Sequence, residues 1–544
     1  MKVLIAQLNP VIGDMVGNTG KIVACLSRAR DKGVDLVLLP EMAICGYPPE
    51  DLLLQKGFVE AVEKSLEEII ASSKGLFVVV GLIRYNPARG EKPLLNSAAV
   101  IEDGRLMGFQ DKWLLPTYDV FDERRYFEPG TQTRLWDCKG VKLGVTICED
   151  IWQHAGCVEF THYDQDPVIA LAAERPDLLL NLSASPYQYQ KPDIRLRVCG
   201  KAAQTLQCPV LLCCQVGGND QLVFDGYSMY VDQDGQLVKL AKGFEEDEMV
   251  VDVSSKVSSC PLRYEPIHDL YSALVLGVKD YFHKSGFTKG CLGLSGGIDS
   301  ALVACIAVEA LGKENVLGIA MPSRFSSLGS LTDARALASN LGIAFKEVSI
   351  ESPFQSFLDL LSPHFESRLP DITEENLQAR IRGMVLMAFS NKLGHVVLST
   401  GNKSEMAMGY CTLYGDMCGG LSVIADVVKT QVYTLARWVN RHKEIIPVST
   451  IDKPPSAELK ANQKDTDSLP DYDIVDKVLQ SYVEDYLSAE ETAHKHQLPI
   501  DLVLDLIKRI HKAEYKRRQA PPCIRVTKKA FPVGRRYPIV QRWA

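Results

Sequence analysis

Apolar and polar positions are arranged in two different ways along this chain, and the change falls near residue 255. Before it come short apolar, β-branched runs: VLIAQL (3–8), VDLVLL (34–39), LFVVVG (76–81), VKLGVTI (141–147), DLLLNL (177–182) and PVLLCC (209–214). Each has the length and composition of a buried strand. Asp103-Gly104 and Asp234-Gly235 lie between strand-like runs and predict hairpin turns. In FVEAVEKSLEEIIA, Phe58, Val59, Val62, Leu66, Ile69 and Ile70 fall on one face, which predicts an amphipathic helix. The pattern as a whole predicts a mixed sheet with helices on its outer faces.

The stretch GFEEDEMVVDVSSKVSSCPLRYEP (243–266) runs from acidic residues through one last strand into a Ser-rich connection. It predicts one domain over 1–255, a connection over 256–266 and a second domain over 267–544. In the second, the strands CLGLS, VLGIAM, FKEVSI and HVVLST are separated by helices near 299–311, 330–341 and 373–393. Strict βα alternation implies right-handed crossovers and a parallel, doubly wound sheet. Ligands bind such sheets at the carboxyl ends of the strands.

Composition narrows the class. With 544 residues, 46% apolar and 24% charged, the chain is an ordinary globular α/β protein of more than one domain. A net charge of −8 weighs against a general nucleic-acid or membrane-surface binder. No apolar run is long enough to span a bilayer, and MKVLIAQLNP reads as an opening strand rather than a secretory signal. The fifteen cysteines include no C-x-x-C pair, so they read as reduced thiols of a cytoplasmic protein, most of them small core residues. Residues 511–544 carry ten Lys/Arg against the single acid Glu514. Such a basic tail could grip phosphates, face solvent or contact another subunit.

After the strand CLGL comes Ser295-Gly296-Gly297-Ile298-Asp299-Ser300, then a helix. Glycines let the backbone approach an anion, and the N–H groups of the turn and helix start point at it. Asp299 beside phosphate implies an intervening Mg²⁺. The Walker motif is not met, because its lysine is missing. The lipase elbow G-x-S-x-G is met literally by Gly293 to Gly297, which keeps a serine hydrolase built on Ser295 open at this point. A plain Gly-rich turn is the blandest alternative.

The string S-G-G-x-D-S resembles the pyrophosphate loop of N-type ATP pyrophosphatases, which split ATP between its α and β phosphates. Further motifs follow in order: N-x-x-A-R-x-R from Asn376 to Arg382, STGNKSE from Ser399 to Glu405, YGD at 414–416 and K-T-x-V-Y from Lys429. Together they resemble the NAD synthetases over some 280 residues. The resemblance implies an ATP loop made of Gly293, Leu294, Ser295, Gly296, Gly297, Ile298, Asp299 and Ser300, with Thr400 as a further ATP contact. It implies Mg²⁺ on Asp299 and Glu405, and contacts to deamido-NAD from Asn376, Glu405 and Lys516.

In the first half, Glu41, Lys112 and Cys148 each sit at or just past a predicted strand end. A cysteine at a strand-to-helix elbow is expected to be exposed and close to helix N–H groups that favour thiolate. A carboxylate can take its proton, and a lysine can stabilise an oxyanion. Spacing alone does not bring the three together. The surrounding words LPEMAICGYPPEDL, FQDKWLLPTYDVFDERRYFEPG, GVTICEDIW and NLSASPYQYQK resemble the nitrilase, or carbon–nitrogen hydrolase, family over roughly residues 1–250. That resemblance implies a four-layer αββα sandwich and a catalytic triad of Glu41, Lys112 and Cys148, with Glu123 orienting the lysine. It also implies glutamine contacts from Tyr118, Glu149, Ser185 and Lys191, with Ser183 the alternative to Ser185.

The two halves together resemble the bacterial-type glutamine-dependent NAD synthetases. The implied chemistry releases ammonia from glutamine and spends it, away from water, on deamido-NAD activated by ATP. The implied partners are these small molecules and a second copy of the chain, at least a dimer through the synthetase domain, with no nucleic acid, membrane or redox cofactor. A glutamine-dependent ligase for another acceptor, and a non-catalytic nucleotide sensor, are the remaining alternatives.

Overall fold

Alternate residues of the first strands turn to opposite faces, and both faces find apolar partners. In the computed structural model, which describes every residue except 89, 159, 160, 256, 257, 367, 533 and 544, the chain divides into two units, Met1–Pro266 and Ile267–Ala544. Two positions of the connection read over 256–266 therefore lie outside the described residues.

The first unit contains two six-stranded sheets and a two-stranded ribbon. One sheet runs Asp247–Asp252, Lys2–Gln7, Leu36–Leu38, Phe77–Tyr85, Leu94–Glu102, Arg105–Asp111. The other runs Leu237–Leu240, Met229–Val231, Val210–Cys214, Leu178–Ser183, Val141–Ile147, Trp136–Cys138. Val3, Ile5, Leu36, Leu38 and Val79 of the first share one core with Val145, Ile147, Leu180, Leu182 and Leu211 of the second, so the sheets face each other. On the far face of the first, Leu4, Val37 and Val78 pack against the helices Met15–Asp31 and Lys56–Ala71 through Ile22, Leu26, Val62 and Leu66. On the far face of the second, Leu179 and Leu212 meet Val168, Val198 and Ala202 of Pro167–Glu174 and Lys191–Leu206. This is the four-layer αββα arrangement. The single mixed sheet read from the pattern is thus two sheets. Strands covered on both faces are apolar throughout, and nothing in such runs says which sheet each joins. The Asp103-Gly104 turn joins antiparallel strands with both residues at positive φ (47° and 77°), the geometry of a two-residue hairpin.

The second unit has a five-stranded parallel sheet ordered Ala344–Glu347, Val316–Ala320, Gly290–Gly293, Val396–Ser399, Leu421–Ser422. The first strand in sequence is central, so the order reverses beside it and opens a crevice at the carboxyl ends. Alternation stops after Leu421–Ser422. From Lys429–Val439 to Glu514–Arg517 the elements are helical, a region beyond the βα units read from the sequence. The basic tail is folded. The buried Glu514 accepts hydrogen bonds from Arg517 (2.9 Å), Arg518 (3.2 Å) and Arg535 (2.6 Å), so these charges are spent within the unit. Among the described residues no helix is long and apolar enough to cross a membrane.

Candidate active sites

In the first unit, strand Val141–Ile147 ends at Cys148, whose backbone is left-handed (φ 44°). Such a conformation costs a non-glycine residue of order 1 kcal/mol or more and aims the side chain off the strand end. The elbow is braced by buried Asp150. Its carboxylate accepts from Ile147 N (2.9 Å), Trp113 N (3.0 Å) and Leu114 N (2.9 Å), which ties the cysteine strand to the segment carrying Lys112.

The thiol is not exposed as expected; Cys148 is 4% accessible. Burial and then Glu41 push its pKa well up, against the opposing pull of Lys112 and of Ser183, whose hydroxyl donates to Sγ (3.4 Å). The resting group is therefore a thiol that needs a base. Close packing of the two sheets around the elbow outweighs the few N–H groups of a one-turn helix.

The structure brings Glu41, Lys112 and Glu123 together. Lys112 Nζ donates to Glu41 Oε1 and Glu123 Oε1, both at 2.8 Å. Glu41 Oε2 accepts from Ala184 N (2.9 Å), next to the Ser183 that holds the thiol. Tyr47 Oη donates to Glu123 Oε1 (3.0 Å), and Asn96 Nδ2 donates to Glu41 Oε1 (2.8 Å). Burial works against the Lys112 charge, but Glu123 and Glu41 hold its pKa well above the ordinary value. Glu123 is pushed up by burial and Glu41, with Lys112 opposing. Gly81 is what lets the segment after strand Leu36–Leu38 approach. A Cβ there would lie 2.5 Å from Met42 N and Pro40 O and 2.6 Å from Glu41 Cα.

The glutamine-contact candidates separate. Glu149 accepts from Tyr118 Oη (2.9 and 3.0 Å) and Tyr163 Oη (3.3 Å), and burial lifts its carboxyl to about 7. Lys191 starts a helix with its ammonium 4.5 Å over the Trp152 ring. Ser185 gives its carbonyl to Arg195 Nη2 (2.9 Å), while Ser183 is the residue on the thiol. Tyr163 and Asn96 were not singled out by the sequence, because neither lies in a motif carrying chemistry.

In the second unit, the loop after Gly290–Gly293 turns at Gly296 (φ 78°), where a Cβ would lie 2.2 Å from Ser330 O. Ser295 Oγ is bonded to Ser300 Oγ (3.2 Å) and accepts from Gly297 N (3.2 Å), while Ser300 Oγ donates to Gly297 O (3.0 Å). That serine is engaged in shaping the turn rather than paired with a base. Asp299, in the first turn of helix Ile298–Leu311, accepts from Asn402 Nδ2 (2.8 Å) and from Lys429 Nζ. Lys429 Nζ also donates to Glu405 Oε1 (3.2 Å), and Asn402 and Glu405 form a reciprocal cap at the start of Lys403–Met408. Two carboxylates thus converge on one ammonium; carboxylate oxygens are the donor type that suits a hard dication, while among the described residues no group of three or more His, Cys, Asp or Glu gathers as a metal site. Burial opposes the lysine's charge, and Asp299 and Glu405 more than restore it.

Thr400 lies just past strand Val396–Ser399, at the same edge. Asn376 Oδ1 accepts from Thr412 Oγ1 (2.8 Å). Lys516 Nζ donates to the carbonyls of Gly409 (2.8 Å) and Cys411 (2.7 Å), so it braces this loop rather than reaching out of it. A pocket lined by Gly401, Glu405, Cys411, Asp416 and Ala520 opens beside them.

Residues 2–261 match the carbon–nitrogen hydrolase family and residues 270–520 the NAD synthase family. The class is therefore a carbon–nitrogen hydrolase joined to an NAD synthase. Over its full length the chain is 47% identical to a glutamine-dependent NAD(+) synthetase of Synechocystis, covering 99% of this chain and 98% of that one. It is 43% identical to that of Thermotoga maritima, covering 100% and 99%. The structure of the Acinetobacter baumannii glutamine-dependent NAD+ synthetase in complex with ADP superposes with a TM-score of 0.77 at 39% identity, covering 100% and 99%. The chain belongs to the glutamine-dependent NAD(+) synthetases.

Proposed function

We propose that the first unit is a glutaminase whose ammonia the second unit uses to amidate deamido-NAD. The observation that carries this is the Glu41–Lys112–Glu123 cluster beside a buried, protonated thiol. Glu41 takes the Cys148 proton, and sulfur attacks the side-chain amide carbon of L-glutamine. Lys112, with one donor left after its two carboxylates, stabilises the oxyanion. The C–N bond breaks, the nitrogen leaves as ammonia with the proton returned from Glu41, and a thioester remains. Water, deprotonated by Glu41, releases glutamate and restores the thiol. Glu149 with Tyr118, Lys191 and Ser185 form the glutamine-holding side; Ser183, already on the thiol, is the better positioned of the two serines.

In the second unit, Gly293 to Ser300 and Thr400 hold ATP. The nicotinate carboxylate of deamido-NAD, held by Asn376 and Glu405 with Lys516 bracing the loop, attacks the α-phosphorus. Pyrophosphate leaves, and ammonia then displaces AMP to give NAD. Mg²⁺ on Asp299 and Glu405 would neutralise the phosphates of the departing pyrophosphate. Exposed Met384, Met387 and Leu393 on helix Ile372–Leu393 support a homodimer through this unit. All fifteen cysteines are free, which supports a reducing, cytoplasmic setting.

The decisive experiment compares nitrogen donors with ATP and deamido-NAD. Cys148→Ala should make no NAD from glutamine yet keep the rate with ammonium salts; undiminished use of glutamine would overturn the proposal.

A further inference from the structure

We propose that Asn96 is a positioning residue of the glutaminase reaction, holding Glu41 and Glu123 apart and in line across Lys112; this rests on the function proposed above. Asn96 lies in strand Leu94–Glu102, 1% exposed, and touches three members of the cluster. Its backbone carbonyl accepts from Lys112 N (2.9 Å). Its Nδ2 donates to Glu41 Oε1 (2.8 Å) and lies 3.4 Å from Glu123 Oε2. Only the NH₂ end of the amide can face two carboxylates, so its orientation is dictated by its neighbours.

The cluster has one ammonium against two carboxylates. Like charges in a buried site disfavour joint ionisation. Lys112 can relieve this only by sharing its donors, and it needs one for the substrate oxyanion. A second cation would bind the base too firmly for it to accept a proton. Asn96 supplies two donors and no charge, so the pair is screened while the base stays a base. The other ionisable groups around the pair are Tyr47, Cys148, Glu149, Asp150 and Tyr163. Of these, Tyr47 is bonded to Glu123 alone. The bridge between the two carboxylates is therefore made by Lys112 and Asn96.

The test uses the full chain and two variants. Asn96→Leu keeps the branching and the number of side-chain heavy atoms and removes both donors. Asn96→Asp keeps the shape and adds a third acid. Both retain the backbone bond to Lys112. Glutamate release is measured across pH, with ammonia-dependent NAD formation and thermal unfolding alongside. The expected result is a fall in kcat of about 10- to 100-fold, at or below the lower end of general-base effects because the base itself stays in place, with the glutamine KM changed less than about 3-fold. The acid limb of the rate should move to higher pH, further in Asn96→Asp than in Asn96→Leu, while the ammonia-dependent rate is unchanged. An unmoved acid limb in both variants, whether kcat is kept or falls only with the folded fraction, would overturn the role of Asn96. Absence of glutamate release by the wild type would instead overturn the glutaminase reading itself.

Discussion

Gly81→Ala tests how tightly the base is held. The added methyl would sit 2.5 Å from Met42 N and Pro40 O and 2.6 Å from Glu41 Cα. Ordinary carbon contacts have their optimum at about 3.5–4.0 Å, so relief requires roughly 1 Å of backbone movement. Every atom met is main chain, so no side chain can swing aside. Overpacking of this kind costs about 1–3 kcal/mol of stability. The functional cost is separate. Glu41 is fixed by three bonds of 2.8–2.9 Å, and a shift of that size breaks at least one. Misplacing a reacting group by about 1 Å costs on the order of 10²-fold in rate, equivalent to about 2.7 kcal/mol in the barrier. Glutamate release by Gly81→Ala should therefore fall about a hundredfold, while NAD formation from ammonium salts is unchanged. The two rates are read from one preparation, so misfolded protein would lower both. A variant that hydrolyses glutamine at the wild-type rate would refute the view that the 40–42 backbone sets the geometry of the base.

Gly296→Ala should depress NAD formation from both nitrogen donors, because the methyl would meet Ser330 O at 2.2 Å in a left-handed turn; steady-state kinetics should show the loss in ATP use, with glutaminase activity retained. Burial lifts Glu149 to about 7, so it is protonated below that pH and loses its attraction for the substrate ammonium. The glutamine KM should rise as pH falls through 7, and Glu149→Gln should raise KM and flatten that dependence. Chelation of Mg²⁺ should halt NAD formation while glutamate release continues, and the intact enzyme should release AMP and pyrophosphate; ADP and phosphate would reject the adenylation step.

The strand runs were legible because five or six consecutive apolar residues cannot sit anywhere but inside. Their assignment to two sheets was not, since VKLGVTI and LFVVVG are equally apolar and carry no mark of their neighbours. The helix Met15–Asp31 was invisible for a related reason. Its buried set includes Asn18 and Thr19 as well as Ile22 and Leu26, so no clean apolar stripe stands out. The glycine loop was legible from chemistry, because the juxtaposition of Ser295, two glycines and Asp299 has few uses. The convergence of Glu41, Lys112 and Glu123 was not, because their separations in sequence say nothing about distance. The burial of Cys148 ran against expectation because it is set by the opposite sheet. Asp150, Asn96 and Tyr163 act through other residues, and only contacts reveal such groups.

Ser183 and Ala184 are consecutive, and this dipeptide contacts both ends of the proposed proton transfer: the hydroxyl rests on sulfur and the next N–H on the base. On the proposed mechanism, a shift of that strand end would reach thiol and base together rather than one at a time.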